Sequence, residues 1–358
     1  MSKKTTCQNI GEVVLFFGAG ASFGSDKALQ SYDSTRLPPL GKNLYKALCD
    51  FEPKLWKQID TLFDVYEDFE KGWETIQKSL SIRDLRLLLQ SMARFFNQFD
   101  PSEVNLYREL ARKISNASHW NGCFISLNYE ALLQKSLQYE SVPYNIEVTG
   151  YVYTRSDNPI EICVPHGYIH VYMNLRGFEK ALDFESYPIN YFQTENMDNP
   201  VWMADRYCVP ILSYYTIGKR TNFGNEYIDL QKKRYKDIVK NAKKILIIGV
   251  AFNQHDTHIW EPLAKTNSSL FYFEPFNLMP FRQWADTLPN RDLREIAIIE
   301  ETFESGFTKI CQIAELGDGS RIIDTNVPKD ALEKMTDAKE IVKKAIFYET
   351  QLHDINMA

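Results

Sequence analysis

Four short stretches of this chain carry residue types that can grip a phosphorylated sugar or move a proton, and each follows an apolar run. The first is Gly18-Ala19-Gly20-Ala21-Ser22, directly after Val13-Val14-Leu15-Phe16-Phe17. Glycines there let the chain turn tightly and bring bare backbone N–H groups close to a ligand. That is how a protein cradles a pyrophosphate at the start of a helix, and it points to a nucleotide. Ser22 adds a hydroxyl donor, or caps the helix that follows. The second stretch is Asn128-Tyr129-Glu130, after Cys123-Phe124-Ile125-Ser126-Leu127. The Asn128 amide can hydrogen-bond hydroxyls and water at once, or cap a helix. The third is Pro165-His166-Gly167, after Ile160-Glu161-Ile162-Cys163-Val164. An imidazole with an ordinary pKa of about 6.5 accepts a proton at neutral pH, although such a histidine can also be a packed core residue. The fourth runs from Gly249 to Asp256, after Lys244–Ile248. Gly249 allows close backbone approach, and the Asp256 carboxylate suits a ribose hydroxyl or the cap of a helix beginning at Thr257.

The same histidines invite a different chemistry. His166 and His170 stand four apart, and His255, Asp256 and His258 follow later, so a metal hydrolase is an alternative. The spacing fits no known ligand set, and the His166/His170 pair lacks the adjacent Glu of a zincin. No metal is therefore expected. Six cysteines (Cys7, Cys49, Cys123, Cys163, Cys208, Cys311) form no CxxC pair, which removes zinc ribbons and thioredoxin-type redox sites. Cys123 and Cys163 sit in apolar runs and read as packing residues.

The elements that must hold these stretches follow an α/β pattern. Apolar runs at 13–17, 123–127, 160–164, 244–248, 269–273 and 295–299, separated by helical segments, predict a Rossmann-like, doubly wound parallel sheet. In a parallel sheet every strand ends on one edge, so the four stretches would converge although far apart in sequence. Phe23 to Arg36 is polar and is expected to form a loop over the strand end, a lid. Lys42–Asp50 resumes a helical pattern. Leu55, Ile59, Leu62, Phe63 and Tyr66, then Leu85, Leu88, Leu89, Met92, Phe95 and Phe96, recur at helical spacing. The expected organisation is a Rossmann-like domain over 11–50 and 119–312, a helical insertion over 51–118 and a charged C-terminal helical tail over 313–358. A net charge of −6 with no basic block argues against a dedicated nucleic-acid surface. No run approaches the roughly 20 apolar residues of a membrane span, and the N-terminal residues have no signal-peptide core. A cytoplasmic protein is expected.

Read in order, the four stretches resemble the signature blocks of sirtuin-like proteins: the GAGAS loop, Ser126-Leu127-Asn128-Tyr129-Glu130, Pro165-His166-Gly167, and the block from Ile245 to Leu263. The chain looks most like the sirtuin-like NAD-hydrolysing effectors of prokaryotic antiphage defence, which share the Pro38-Pro39-Leu40-Gly41 step and a helical insertion. The resemblance covers about residues 11 to 275. It departs from the family in several places. Gly24 lies four residues after Gly20, so the loop is not a strict GxGxxG; Ser126 replaces Thr and Glu130 replaces Asp; no Pro-Asp-Phe-Arg motif and no zinc ribbon follow. A peptide deacylase would carry those last two, so the resemblance implies hydrolysis of NAD+ instead, with NAD+ as substrate and no separate cofactor. It implies Asn128 and His166 as catalytic residues. Gly18, Ala19, Gly20 and Ser22 are implied on the pyrophosphate, with Gly249 and Asp256 toward the adenosine side. It further implies restraint of the activity through homo-oligomerisation or a protein partner such as a HerA-type ATPase or a short Argonaute. A non-catalytic NAD or ADP-ribose sensor is the alternative of a different class.

Overall fold

The computed structural model describes residues 11–26, 29, 36–62, 69, 72–73, 76, 79–117, 120–146, 159–175, 191–193, 205, 207–213, 224–289 and 291–317. The expected C-terminal tail beyond 317 and most of the proposed lid, residues 27–28 and 30–35, lie outside them, as do Phe63 and Tyr66 of the helical stripe.

Among the described residues, ten strands form two sheets. The larger has seven strands in the order β10-β9-β8-β1-β2-β4-β3, comprising β1 (Val13–Phe17), β2 (Gly122–Ser126), β3 (Tyr144–Asn145), β4 (Ile160–Cys163), β8 (Lys244–Ile248), β9 (Ser269–Phe273) and β10 (Ile296–Ile299). Every pairing in it is parallel. Its central strands read as unbroken apolar runs because both faces are covered. All five residues of β1 are buried. Alternation along that strand sends Val13, Leu15 and Phe17 into one core and Val14 and Phe16 into the other.

The first core packs α2 (Gly41–Phe51), α3 (Pro53–Trp56), α4 (Ile82–Asn97), α5 (Leu106–Asn116), α6 (Leu132–Tyr139) and α10 (Phe307–Ile313). The second packs α7 (Asn225–Asn241), α8 (Thr257–Lys265) and α9 (Leu278–Asp286). A short α1 (Ala19–Phe23) follows β1. Helix α5 lies in the crossover between β1 and β2, and its Tyr107 ring meets Phe17 edge-on, with centroids 5.1 Å apart. The helices of 41–116 thus share one core with the sheet.

The chain starts at the middle of the sheet, builds outward through β2 to β4 and β3, then returns to the other side of β1 for β8, β9 and β10. The winding direction reverses between β1 and β8, and ligands of open α/β sheets bind outside the carboxyl ends at such a point.

A second sheet was not expected from the sequence. The antiparallel strands β5 (Gly167–Asn174), β6 (Tyr191–Gln193) and β7 (Cys208–Leu212) pair in the order β6-β5-β7. Pro210 sits within β7, opposite Tyr172, and is tolerated because β7 is an edge strand. No helix among the described residues is long and apolar enough to cross a membrane.

Candidate active site at the carboxyl edge of the sheet

Parallel register brings the four stretches to one edge. Phe17 is level with Ser126 of β2 and Ile248 of β8, and Ile248 is level with Phe273 of β9. The two glycine loops next to the switch point interlock. Gly18 N–H donates to Ile248 C=O at 3.0 Å, Gly20 N–H to Gly249 C=O at 2.9 Å, and Gly249 N–H to Phe273 C=O at 3.1 Å. Gly249 has φ +61°, and a Cβ there would lie 2.1 Å from the Ala21 nitrogen; a Cβ on Gly18 would lie 2.5 Å from the Gly249 oxygen. This revises the expectation for the loop. The N–H groups of Gly18, Gly20 and Ala21 are spent within the protein, the last on Gly18 C=O at 3.0 Å, rather than presented to a pyrophosphate. Gly249 makes room for the neighbouring loop. Ala19 stands exposed at the crest of the turn.

Beneath the loops lies a buried polar network. Asn128, 8 % exposed, donates from Nδ2 to Gly18 C=O at 3.1 Å and to Ser22 Oγ at 2.8 Å. The Gly18 carbonyl requires a donor, which fixes the orientation of the amide and leaves Oδ1 as its acceptor. Ser22 Oγ donates to Glu130 Oε1 at 2.5 Å and lies 3.0 Å from Tyr107 Oη. Since the one proton of Ser22 is on Glu130, Tyr107 is the donor in that contact. Burial holds the Tyr107 phenol well above its usual range, with the Glu130 charge adding to the shift, so the proton stays on Tyr107. Ser22 therefore neither caps α1, whose N-cap is Gly18, nor turns a hydroxyl proton outward; it aims the Asn128 amide.

Glu130 Oε2 accepts Leu132 N–H at 2.5 Å. Burial raises its pKa, opposed by the hydrogen bonds from Ser22 and Leu132 and by the charge of Lys135. Tyr107 reaches the network because Asn105 Oδ1 accepts its N–H at 2.9 Å as the cap of α5, while Asn105 Nδ2 donates to Ser25 Oγ at 2.9 Å. The cap ties α5 to the segment just past α1.

His166, 6 % exposed, lies in the turn joining β4 to β5. Gly167 N–H closes that turn on Val164 C=O at 2.9 Å, and Gly167 has φ +83°. Gln231 Oε1 of α7 accepts Val164 N–H at 2.9 Å, and Ser213 N–H donates to His166 C=O at 2.7 Å. The same Ser213 accepts the Tyr129 hydroxyl at 2.7 Å, and Ile169 N–H donates to Tyr129 C=O at 3.3 Å. The Asn128 loop and the His166 turn are thus fastened to each other through Tyr129. His166 Nε2 lies 3.1 Å from Nε2 of His258 in α8.

Asp256 precedes α8 at the N-cap position, but its side chain makes no capping hydrogen bond. The histidines do not converge as a metal site would require. His170 is buried in β5 against the Tyr168 ring, with centroids 5.3 Å apart, and burial lowers its pKa to about 3. Among the described residues no group of three or more His, Cys, Asp or Glu could hold a metal ion.

Two cavities flank the β8–α8 loop. One, of about 560 Å³, lies between α7 and α8 and is lined by Lys236, Lys240, Thr257, His258, Glu261 and Lys265 among others. The other, of about 530 Å³, lies between that loop and α9, walled by Phe252, Asn253, His255 and Trp284 among others.

Sequence reasoning missed Tyr107 as a site residue, weighed Glu130 only as a substitution, and considered His258 only as a metal ligand. No family model matches the sequence, and no curated protein matches it. Among solved structures the chain is similar to several Sir2 proteins. A mutant Sir2 homologue in complex with ADP-ribose is 11 % identical, with 90 % of this chain and 100 % of that one covered and a TM-score of 0.41. A mutant homologue in complex with 2'-O-acetyl-ADP-ribose is 12 % identical over 90 % and 100 %, with a TM-score of 0.40. Sir2 bound to an acetylated peptide is 9 % identical over 85 % and 94 %, with a TM-score of 0.38. These are likenesses of chain path.

Proposed function

We propose that this chain is an NAD+ glycohydrolase, releasing nicotinamide and leaving ADP-ribose. The observation that carries the reading is the lock of Asn128 onto Gly18 and Ser22 at the switch point, beside a buried His166 fastened to the same loop. Two hydrogen-bonding side chains there suit a ribose. Cleavage of the nicotinamide–ribose bond develops oxocarbenium character at the sugar carbon. The leaving pyridinium becomes neutral as it departs, so no general acid is needed. In this reading Asn128 Oδ1 accepts from a ribose hydroxyl or the attacking water, and His166 takes the proton. The exposed crest at Ala19 faces the pyrophosphate and Asp256 the adenosine side. The sequence blocks that resemble NAD-hydrolysing antiphage effectors support the same substrate. With them comes the proposal that the enzyme is held in check by self-association or a protein partner such as a HerA-type ATPase or a short Argonaute.

The test is incubation of the purified protein with NAD+, alone and with a candidate partner, followed by separation of nicotinamide and ADP-ribose. Asn128→Ala and His166→Ala are each expected to lower nicotinamide release on the order of 10²-fold or more, the usual scale of acid–base and positioning contributions, with an unchanged circular-dichroism spectrum. Wild-type turnover in either variant overturns the role assigned to that residue. Binding of NAD+ with no release under any condition would identify a sensor instead.

A further inference from the structure

We infer that His258 is the second member of a two-imidazole proton relay that connects His166 to solvent. The inference rests on the reading of His166 as the base and adds the route by which its proton leaves. Two Nε2 atoms 3.1 Å apart can approach only if one carries a proton and the other offers a lone pair, so the pair shares one hydrogen. In the relay, His166 exchanges a proton with a substrate hydroxyl or water at its Nδ1.

The movement balances. One proton arrives at His166 Nδ1, the His166 Nε2 proton passes to His258 Nε2, and His258 Nδ1 releases a proton to water. The two residues differ in access in the sense that a relay requires. His166 is 6 % exposed, whereas His258 is half-buried and lines the cavity of about 560 Å³ between α7 and α8. Charged groups around the outer imidazole come from both helices: Lys236 and Lys240 of α7, Glu261 and Lys265 of α8, with His255 and Asp256 just before α8. A metal pair is the competing use of two imidazoles, but a catalytic zinc takes three protein ligands, and no third joins these two among the described residues.

The experiment begins with a readout independent of NAD+. Full-length protein labelled at histidine ring carbons, and its His258→Gln and His258→Asn variants, are titrated by NMR. In the wild type, His166 and His258 are expected to titrate as a coupled pair in two steps, separated by more than about one pH unit. In both variants His166 is expected to collapse to a single step. A His166 curve unaffected by the loss of His258 overturns the relay, whatever the enzyme does to NAD+. Stoichiometric zinc uptake, lost in both variants, overturns it in favour of a metal pair.

Turnover is the second readout. His258→Gln is expected to lower kcat on the order of 10²-fold with KM little changed, and to shift the pH–rate profile. Imidazole added to His258→Ala is expected to restore part of the rate through the cavity. A His258→Gln enzyme with wild-type kcat at every pH overturns the relay. Coupled titration in a wild type that leaves NAD+ intact both alone and with the candidate partner overturns the hydrolase reading while confirming the shared proton.

Discussion

A hydroxyl has one hydrogen and two lone pairs, and Ser22 commits all three: its proton to Glu130, its lone pairs to Asn128 and Tyr107. The partners come from two distant parts of the chain, Tyr107 and the Asn128–Glu130 stretch, which is why the sequence makes Ser22 and Asn128 visible as strand-end residues yet hides what they do. Tyr107 lies 85 positions from Ser22 and Glu130 lies 108, and no spacing rule connects them. At the centre of the network sits a carboxyl raised by its burial, and this has a measurable sign. The native state keeps the Glu130 proton over a pH range in which the unfolded chain, near the ordinary value of 4.5, has lost it. Stability contributed by this group is therefore full below 4.5 and declines as pH rises toward the native pKa. Glu130→Gln has no such proton to lose. The wild-type-minus-variant stability, from denaturant midpoints between about pH 4 and 8, is expected to fall as pH rises; a flat or rising difference would contradict the assignment.

Between elements, the decisive contact is loop against loop. The turns after β1 and β8 meet where each has a glycine, and Gly249 is the less replaceable because it is left-handed as well as crowded. Gly249→Ala adds a methyl 2.1 Å from the Ala21 nitrogen and also bears about 1–2 kcal/mol for a non-glycine residue in that conformation. The variant is expected to lose more than that in chemical denaturation and to lose NAD+ cleavage with it; a stability within 0.5 kcal/mol of wild type, the spread about typical of surface substitutions, would show that the loops are not locked. The apolar runs of the central parallel strands β1, β2, β8 and β9 are readable because burial on both faces leaves little polar alternation. The antiparallel sheet is not readable, for physical reasons. Strand β5 carries four residues with hydrogen-bonding side chains (Tyr168, His170, Tyr172 and Asn174), its register shifts between Tyr168 and Tyr172, β6 has three residues, and β7 contains a proline.

Across the whole molecule, the sheet divides two cores that share its strands but few side chains. Leu110 of α5 is fully buried on one side and Leu263 of α8 on the other. Each Leu→Ala change is expected to cost about 2–5 kcal/mol. The double variant is expected to equal the sum within about 0.5 kcal/mol, as for sites with no shared partners. A large deviation in the denaturation midpoints would mean that the sheet transmits packing changes from face to face. The doubly wound order was legible from the alternation of strands and helices, and so was the convergence of strand ends, because parallel topology leaves no other edge for them. One fastening acquires a mechanical meaning at this scale. Tyr129 neighbours Asn128 in the chain, and its carbonyl and hydroxyl grip the backbone at Ile169 and Ser213, at the one end of the smaller sheet where β5 pairs with β7. That sheet is consequently a handle on the amide: whatever grasps or twists β5 and β7 from outside tilts Asn128 and His166 in step, without touching either.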